Sequence, residues 1–154
     1  MAVSYSREDL GRGISLTRIY DKKFKSNCVK IAFISPLNEK TACVNAMLQT
    51  VLVTSNAEIP SRTKLTSTLT GLYGSSIGTN CGTIGDYQSV GLSASFIGDD
   101  YTIDGEVISV QVVRQLLNCL LRPHLVDGKF CEKYFTLRKQ ELIDAIVALS
   151  LIHI

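Results

Sequence analysis

The stretch "IGTNCGTIGDYQSVGLSASFIGDD", residues 77–100, carries the clearest strand pattern of the chain. In its second half, Tyr87, Ser89, Gly91, Ser93 and Ser95 fall on one side of an extended chain. Val90, Leu92, Ala94 and Phe96 fall on the other, a period of two that marks a half-buried strand. Gly85-Asp86 is a favourable tight turn. The stretch therefore predicts two antiparallel strands with one apolar face.

Segments on either side of this pair supply helices to cover the apolar face. Asn38 is placed to cap a helix with Glu39 in its first turn. That helix runs through about Val53. It is apolar almost all round apart from a thin stripe of Asn45 and Gln49, so it reads as a central buried helix. "IPSRTKLTSTLTGLYGSS" predicts a second helix, capped by Ser61, with Leu65, Leu69 and Leu72 or Tyr73 inward and Gly71 and Gly74 at its end. A third starts near Asp104 and stops before Pro123. A fourth spans about Asp127 to Ala148, with Phe130, Tyr134, Leu137, Glu141 and Ala145 along its length.

Upstream, Ile14, Leu16 and Ile19, with a register shift near Arg18, and Val29, Ile31 and Phe33 predict an antiparallel pair around a charged turn. Pro36 stops the second of these strands. Strands, helices, strands and helices in that order give an α+β class: an antiparallel sheet packed on one face by helices.

Composition narrows function more than it names it. The 154 residues are 45% apolar and 19% charged, with net charge +2. Residues 1–40 hold eight Lys/Arg against four Asp/Glu, and residues 41–125 hold four against six. A nucleic-acid surface needs a concentrated basic patch. Lys22, Lys23, Lys25 and Lys30 read instead as the solvated side of strands and turns, so no nucleic-acid partner is expected. No apolar run approaches the roughly 18 residues of a membrane span, and the N-terminus lacks a signal core. Cys28, Cys43, Cys81, Cys119 and Cys131 are odd in number and form no C-x-x-C, so they read as buried reduced thiols of a cytoplasmic protein.

Motif chemistry is sparse. Seven of the eleven glycines lie between Gly71 and Gly98, yet no nucleotide-loop pattern occurs. They read as turns and places of close backbone approach. Of two histidines, His124 follows Pro123 and His153 lies in the last six residues, "LSLIHI". Those six can be encoded by a transposon-end sequencing adapter; the alternative is a genuine apolar helix end. Residues 149–154 are therefore set apart from the domain, and His153 from functional reasoning. A Cys/His nucleophile would need a cysteine to meet His124 in space. Asp99-Asp100 and Asp104-Glu106 are explained by capping and solubility.

The words "LNEKTACVNAMLQTVLVTSNAEIPSRTKLTSTLTGLYGSSIGTNCGTIGDYQSVGLSASFIGDDY", above all "LYGSSIG" followed by "GDYQSVGLSASFI", resemble the N-terminal part of insulinase/pitrilysin-like metallopeptidases. They look closest to a non-catalytic bacterial cytosolic branch. The likeness spans about residues 10–148. It implies the insulinase/mitochondrial processing peptidase-like fold, with residues 1–148 an incomplete first unit of a longer protein. Catalytic members carry H-x-x-E-H on the helix that holds "TACVNAMLQTVL" here. Two histidines at i and i+4 grip zinc, and the glutamate activates its water.

Laid on this sequence, the motif puts Ala46, Gln49 and Thr50 in the three slots. The later glutamate slots fall near Arg138 and Ala145, with Glu141 and Asp144 close by. Ala46 has no donor atom, Thr50 stays protonated and Gln49 cannot take a proton. Loss of both imidazoles removes roughly 10 kcal/mol or more of zinc affinity. We therefore assign no catalytic, cofactor-binding or metal-ligating residue and no cofactor. The resemblance implies an inactive peptidase homologue that partners a zinc-bearing homologue and shares in holding an extended peptide. A peptide would add as an edge strand, for which Tyr87–Ser95 is the first place to look; an ordinary internal strand has the same alternation. The alternatives are an active zinc endopeptidase with an unrecognised site and a stand-alone peptide-binding module.

Overall fold

A computed structural model describes the backbone of residues 3–152 and side chains of residues 3–148. Its order is β1 (Ser4–Gly11), β2 (Ile14–Tyr20), β3 (Ser26–Pro36), α1 (Glu39–Leu52), α2 (Arg62–Gly71), β4 (Ser76–Ile84), β5 (Tyr87–Ile97), α3 (Ser109–Leu121), β6 (Leu125–Val126), β7 (Lys129–Phe130) and α4 (Glu132–Ile152). Two 3-10 turns, Asp99–Tyr101 and Ile103–Gly105, precede α3. The class is α+β with antiparallel sheets.

This stretch, residues 77–100, folds as expected. β4 and β5 pair antiparallel from Ser76↔Ser95 to Ile84↔Tyr87, across the Gly85-Asp86 turn. β5 also pairs antiparallel with β3, from Ser26↔Ile97 to Pro36↔Tyr87, so the sheet order is β3-β5-β4. On its apolar face, Leu92, Ala94 and Phe96 are buried against Val112, Leu116 and Cys119 of α3 and Leu52, Leu65 and Leu69 of α1 and α2. Burying each leucine, valine or phenylalanine side chain among them contributes about 1.5–3 kcal/mol. The caps also hold. Asn38 accepts from Lys40 N at 2.9 Å, and Ser61 accepts from Lys64 N at 3.4 Å.

Four expectations need correction. The strand carrying Ile14, Leu16 and Ile19 pairs with β1, not with β3. Gly11, Arg12 and Gly13 all take positive φ and close a hairpin inside the first twenty residues. The register shift falls between Asp9 and Gly11, not at Arg18, so Ile19 faces away from Leu16. Second, α1 is not buried all round. Its Cys43, Val44 and Leu48 are exposed, Val44 at 63% and Leu48 at 42%, because only one side of the helix meets the sheet and α4.

Third, α3 begins at Ser109 rather than near Asp104. Asp104 sits at φ 58° in a turn, which breaks helical propagation there. Its true cap is tertiary. The Asp99 carboxylate accepts from Ile108 N at 3.0 Å, Ser109 N at 2.9 Å and the Ser109 hydroxyl. Fourth, α4 begins at Glu132, not Asp127. Asp127 and Gly128 both have positive φ and turn the β6–β7 hairpin, the Asp-Gly preference of such turns. Among the described side chains of α4, the half-buried positions are Tyr134, Arg138 and Leu142, whereas Leu137, Glu141 and Ala145 are exposed. α4 runs on through Ile152 into the six-residue tail, and His153 lies outside the described residues.

Candidate functional site

Of the three motif slots on α1, Gln49 meets the sheet, as part of a polar seam. Gln49 is 5% exposed. Its Oε1 accepts two backbone N–H groups, from Asn80 at 3.1 Å and Gly91 at 3.2 Å. One turn earlier, Asn45 Nδ2 donates to Gln88 Oε1 at 3.0 Å, and Gln88 Nε2 donates to Ala42 O at 2.9 Å. Thr50 turns its hydroxyl back onto Met47 O at 2.7 Å. The stripe of Asn45 and Gln49 is thus a bridge from helix to sheet. The buried oxygen and nitrogen atoms named here are stable because each finds a partner, whereas the Asn80 side-chain Nδ2 is buried beside them without one.

Sequence reasoning named Asn45 and Gln49 but missed their counterparts on the sheet, Gln88, Asn80 and Gly91. A usable signal existed for Gln88: it shares the parity of Val90, Leu92 and Ala94, and a polar residue on a buried face needs a partner. Gly91 belongs to the close approaches foreseen for the glycines. A Cβ added there would lie 1.9 Å from Ile31 O.

Of the later slots, Arg138 lies on the half-buried side of α4, and Ala145 is exposed. The Arg138 guanidinium pairs with Glu141, which also reaches Arg62 Nη1 at 3.7 Å. Asp144 accepts from Gln140 Nε2 at 2.8 Å. A cation at Arg138 would repel a metal ion, and its nearest carboxylate is already engaged. Among the described residues, no cluster of three or more His, Cys, Asp or Glu is placed to hold a metal.

His124 and Cys131 line one small space with Ser55 and Tyr134. The contact His124 makes is Nδ1 to Ser55 Oγ at 3.4 Å, and the space has no room for a water-sized ligand. All five thiols are free, but only Cys119 is buried. Cys28, Cys43 and Cys81 are exposed and Cys131 half-buried, correcting the expectation of buried cysteines. The exposed three sit on strand or helix faces that the described residues leave uncovered. The basic residues are partly engaged: Lys23 with Asp21 at 3.1 Å and Lys25 over the Tyr101 ring at 5.6 Å.

The strand singled out for peptide addition is β5, the middle of three, so both its edges are taken. Among the described residues, the edges of this sheet without a strand neighbour are those of β3 and β4. Beside β3 lies a groove of about 480 Å³, mostly apolar, lined by residues that include Phe33, Leu48, Leu52, Val90 and Leu120, with Asn45 and Gln49 at its wall. Among the described residues, no helix is long and apolar enough to cross a membrane.

These features define a helix-covered antiparallel α+β unit whose central helix is fixed to its sheet by side-chain amides. A conserved protein from Enterococcus faecalis V583 has a similar structure, with a TM-score of 0.85 and 24% sequence identity over 94% of this chain and 34% of that one. The likeness is one of fold, and this chain spans about a third of that protein's length. No family model and no curated protein matches the chain.

Proposed function

We propose that the chain is a catalytically silent, insulinase-like peptidase homologue of the cytoplasm. In this reading it pairs with a zinc-bearing homologue and helps hold an extended peptide. The observation that carries the reading is the engagement of Gln49. Where an active member needs a carboxylate facing metal-bound water, this chain has an amide oxygen occupied by the N–H groups of Asn80 and Gly91. Ala46 and Thr50 offer no imidazole beside it, and Arg138 brings positive charge to the slot of a metal-binding carboxylate. The exposed apolar side of α1 and the groove beside β3 are surfaces such a partner would cover. A peptide would add to a free sheet edge, β3 or β4, through main-chain hydrogen bonds.

The test has two parts. The purified protein, incubated with zinc and unfolded peptides, is expected to cleave nothing; chelator-sensitive cleavage by this protein alone overturns the reading. Native co-purification is expected to bring down a homologue carrying H-x-x-E-H, and recovery without one removes the pairing.

A further inference from the structure

We draw no further inference here: the strongest candidate, the mostly apolar groove between α1 and the β3 side of the sheet lined by Phe33, Leu48, Leu52, Val90 and Leu120, carries nothing beyond the pairing already proposed, because nothing in the structure shows what covers it.

Discussion

Gln49 Oε1 lies 3.2 Å from the backbone nitrogen of Gly91 and accepts a hydrogen bond from its N–H, fastening the middle of α1 to the central strand of the sheet. The same oxygen takes the N–H of Asn80 on β4. One side chain therefore serves both strands of the hairpin. This explains how α1 keeps a defined position over the sheet: directional bonds specify a register that apolar contact alone leaves loose.

Replacing Gln49 with leucine keeps the bulk and removes the acceptor. Two N–H groups then lose their partner, at about 1–3 kcal/mol for each buried one. Gln49→Leu is expected to lower the unfolding free energy by roughly 2–4 kcal/mol in urea titration, with the slope unchanged. A loss below about 0.5 kcal/mol, typical of an unremarkable surface change, would show that the seam does not anchor the helix.

Zinc provides a direct test of the slots. The melting temperature of the natural sequence is expected to be the same with and without zinc. Ala46→His combined with Thr50→His places two imidazoles one turn apart on one helix face. That variant is expected to gain a zinc-dependent rise in melting temperature, equivalent to about 2.7 kcal/mol when zinc reaches a hundred times its dissociation constant. A zinc-dependent rise in the natural protein would contradict the silent reading.

Gly91 and Gly82 lie on neighbouring strands and make opposite predictions. A Cβ at Gly91 meets Ile31 O at 1.9 Å, a backbone atom that moves only with its strand. Gly91→Ala is expected to cost at least the roughly 1–3 kcal/mol of an overpacked core. A Cβ at Gly82 meets nothing within 4 Å, and its φ is ordinary. Gly82→Ala is expected to be neutral or to stabilise by up to about 1 kcal/mol, since alanine has less freedom to lose on folding. Equal effects at the two positions would refute the packing argument.

The elements that could be read from sequence are those fixed by their own neighbours. Ser61, Leu65 and Leu69 describe α2 by cap and spacing, and the Gly85-Asp86 turn with its alternating flank describes β4–β5. What escaped depends on distance or on local backbone sign. β3 finds its partner about sixty residues away in β5, and no periodicity in β3 names that partner. Asp104 and Asp127 look like helix caps because aspartate favours that position, yet both adopt positive φ in turns, a conformation short polar residues also tolerate. The site was legible in part. The absence of ligands at Ala46 and Thr50 can be read directly. The use made of Gln49 cannot, because its partners are backbone groups on two distant strands.

Acid should weaken the start of α3. The Ser109 hydroxyl, followed by the backbone N–H groups of Ser109 and Ile108, holds the Asp99 carboxyl below its ordinary range against the opposing effect of burial. The folded state therefore favours the ionised form. Its stabilising contribution is complete above the ordinary value of about 3.9 and is lost as pH falls through the lower folded-state value. Asp99→Ala is expected to cost about 1 kcal/mol near neutrality, the usual worth of a helix cap. The gap between variant and natural protein should narrow below about pH 4. A gap that does not change with acid would show that the charge at Asp99 plays no part.

Thiol labelling reads the same core from another direction. Burial pushes the Cys119 thiol pKa up, opposed by a weaker hydrogen bond from Asn56. The thiolate is the reactive form, so a buried thiol with a raised pKa is both inaccessible and poorly ionised. Ellman's reagent on the native protein is expected to titrate Cys28, Cys43 and Cys81 promptly, Cys131 more slowly and Cys119 only on unfolding. Asn56→Ala removes the Nδ2 donor shared by Gln115 and Cys119, and the Oδ1 that accepts from Glu58 and Ile59 N–H groups. Losing the acceptor of these N–H groups costs about 1–3 kcal/mol for each one left buried and unpaired, so that variant is expected to expose Cys119 to the reagent at a lower urea concentration. Prompt labelling of Cys119 in the native natural protein would mean that α3 does not seal the sheet.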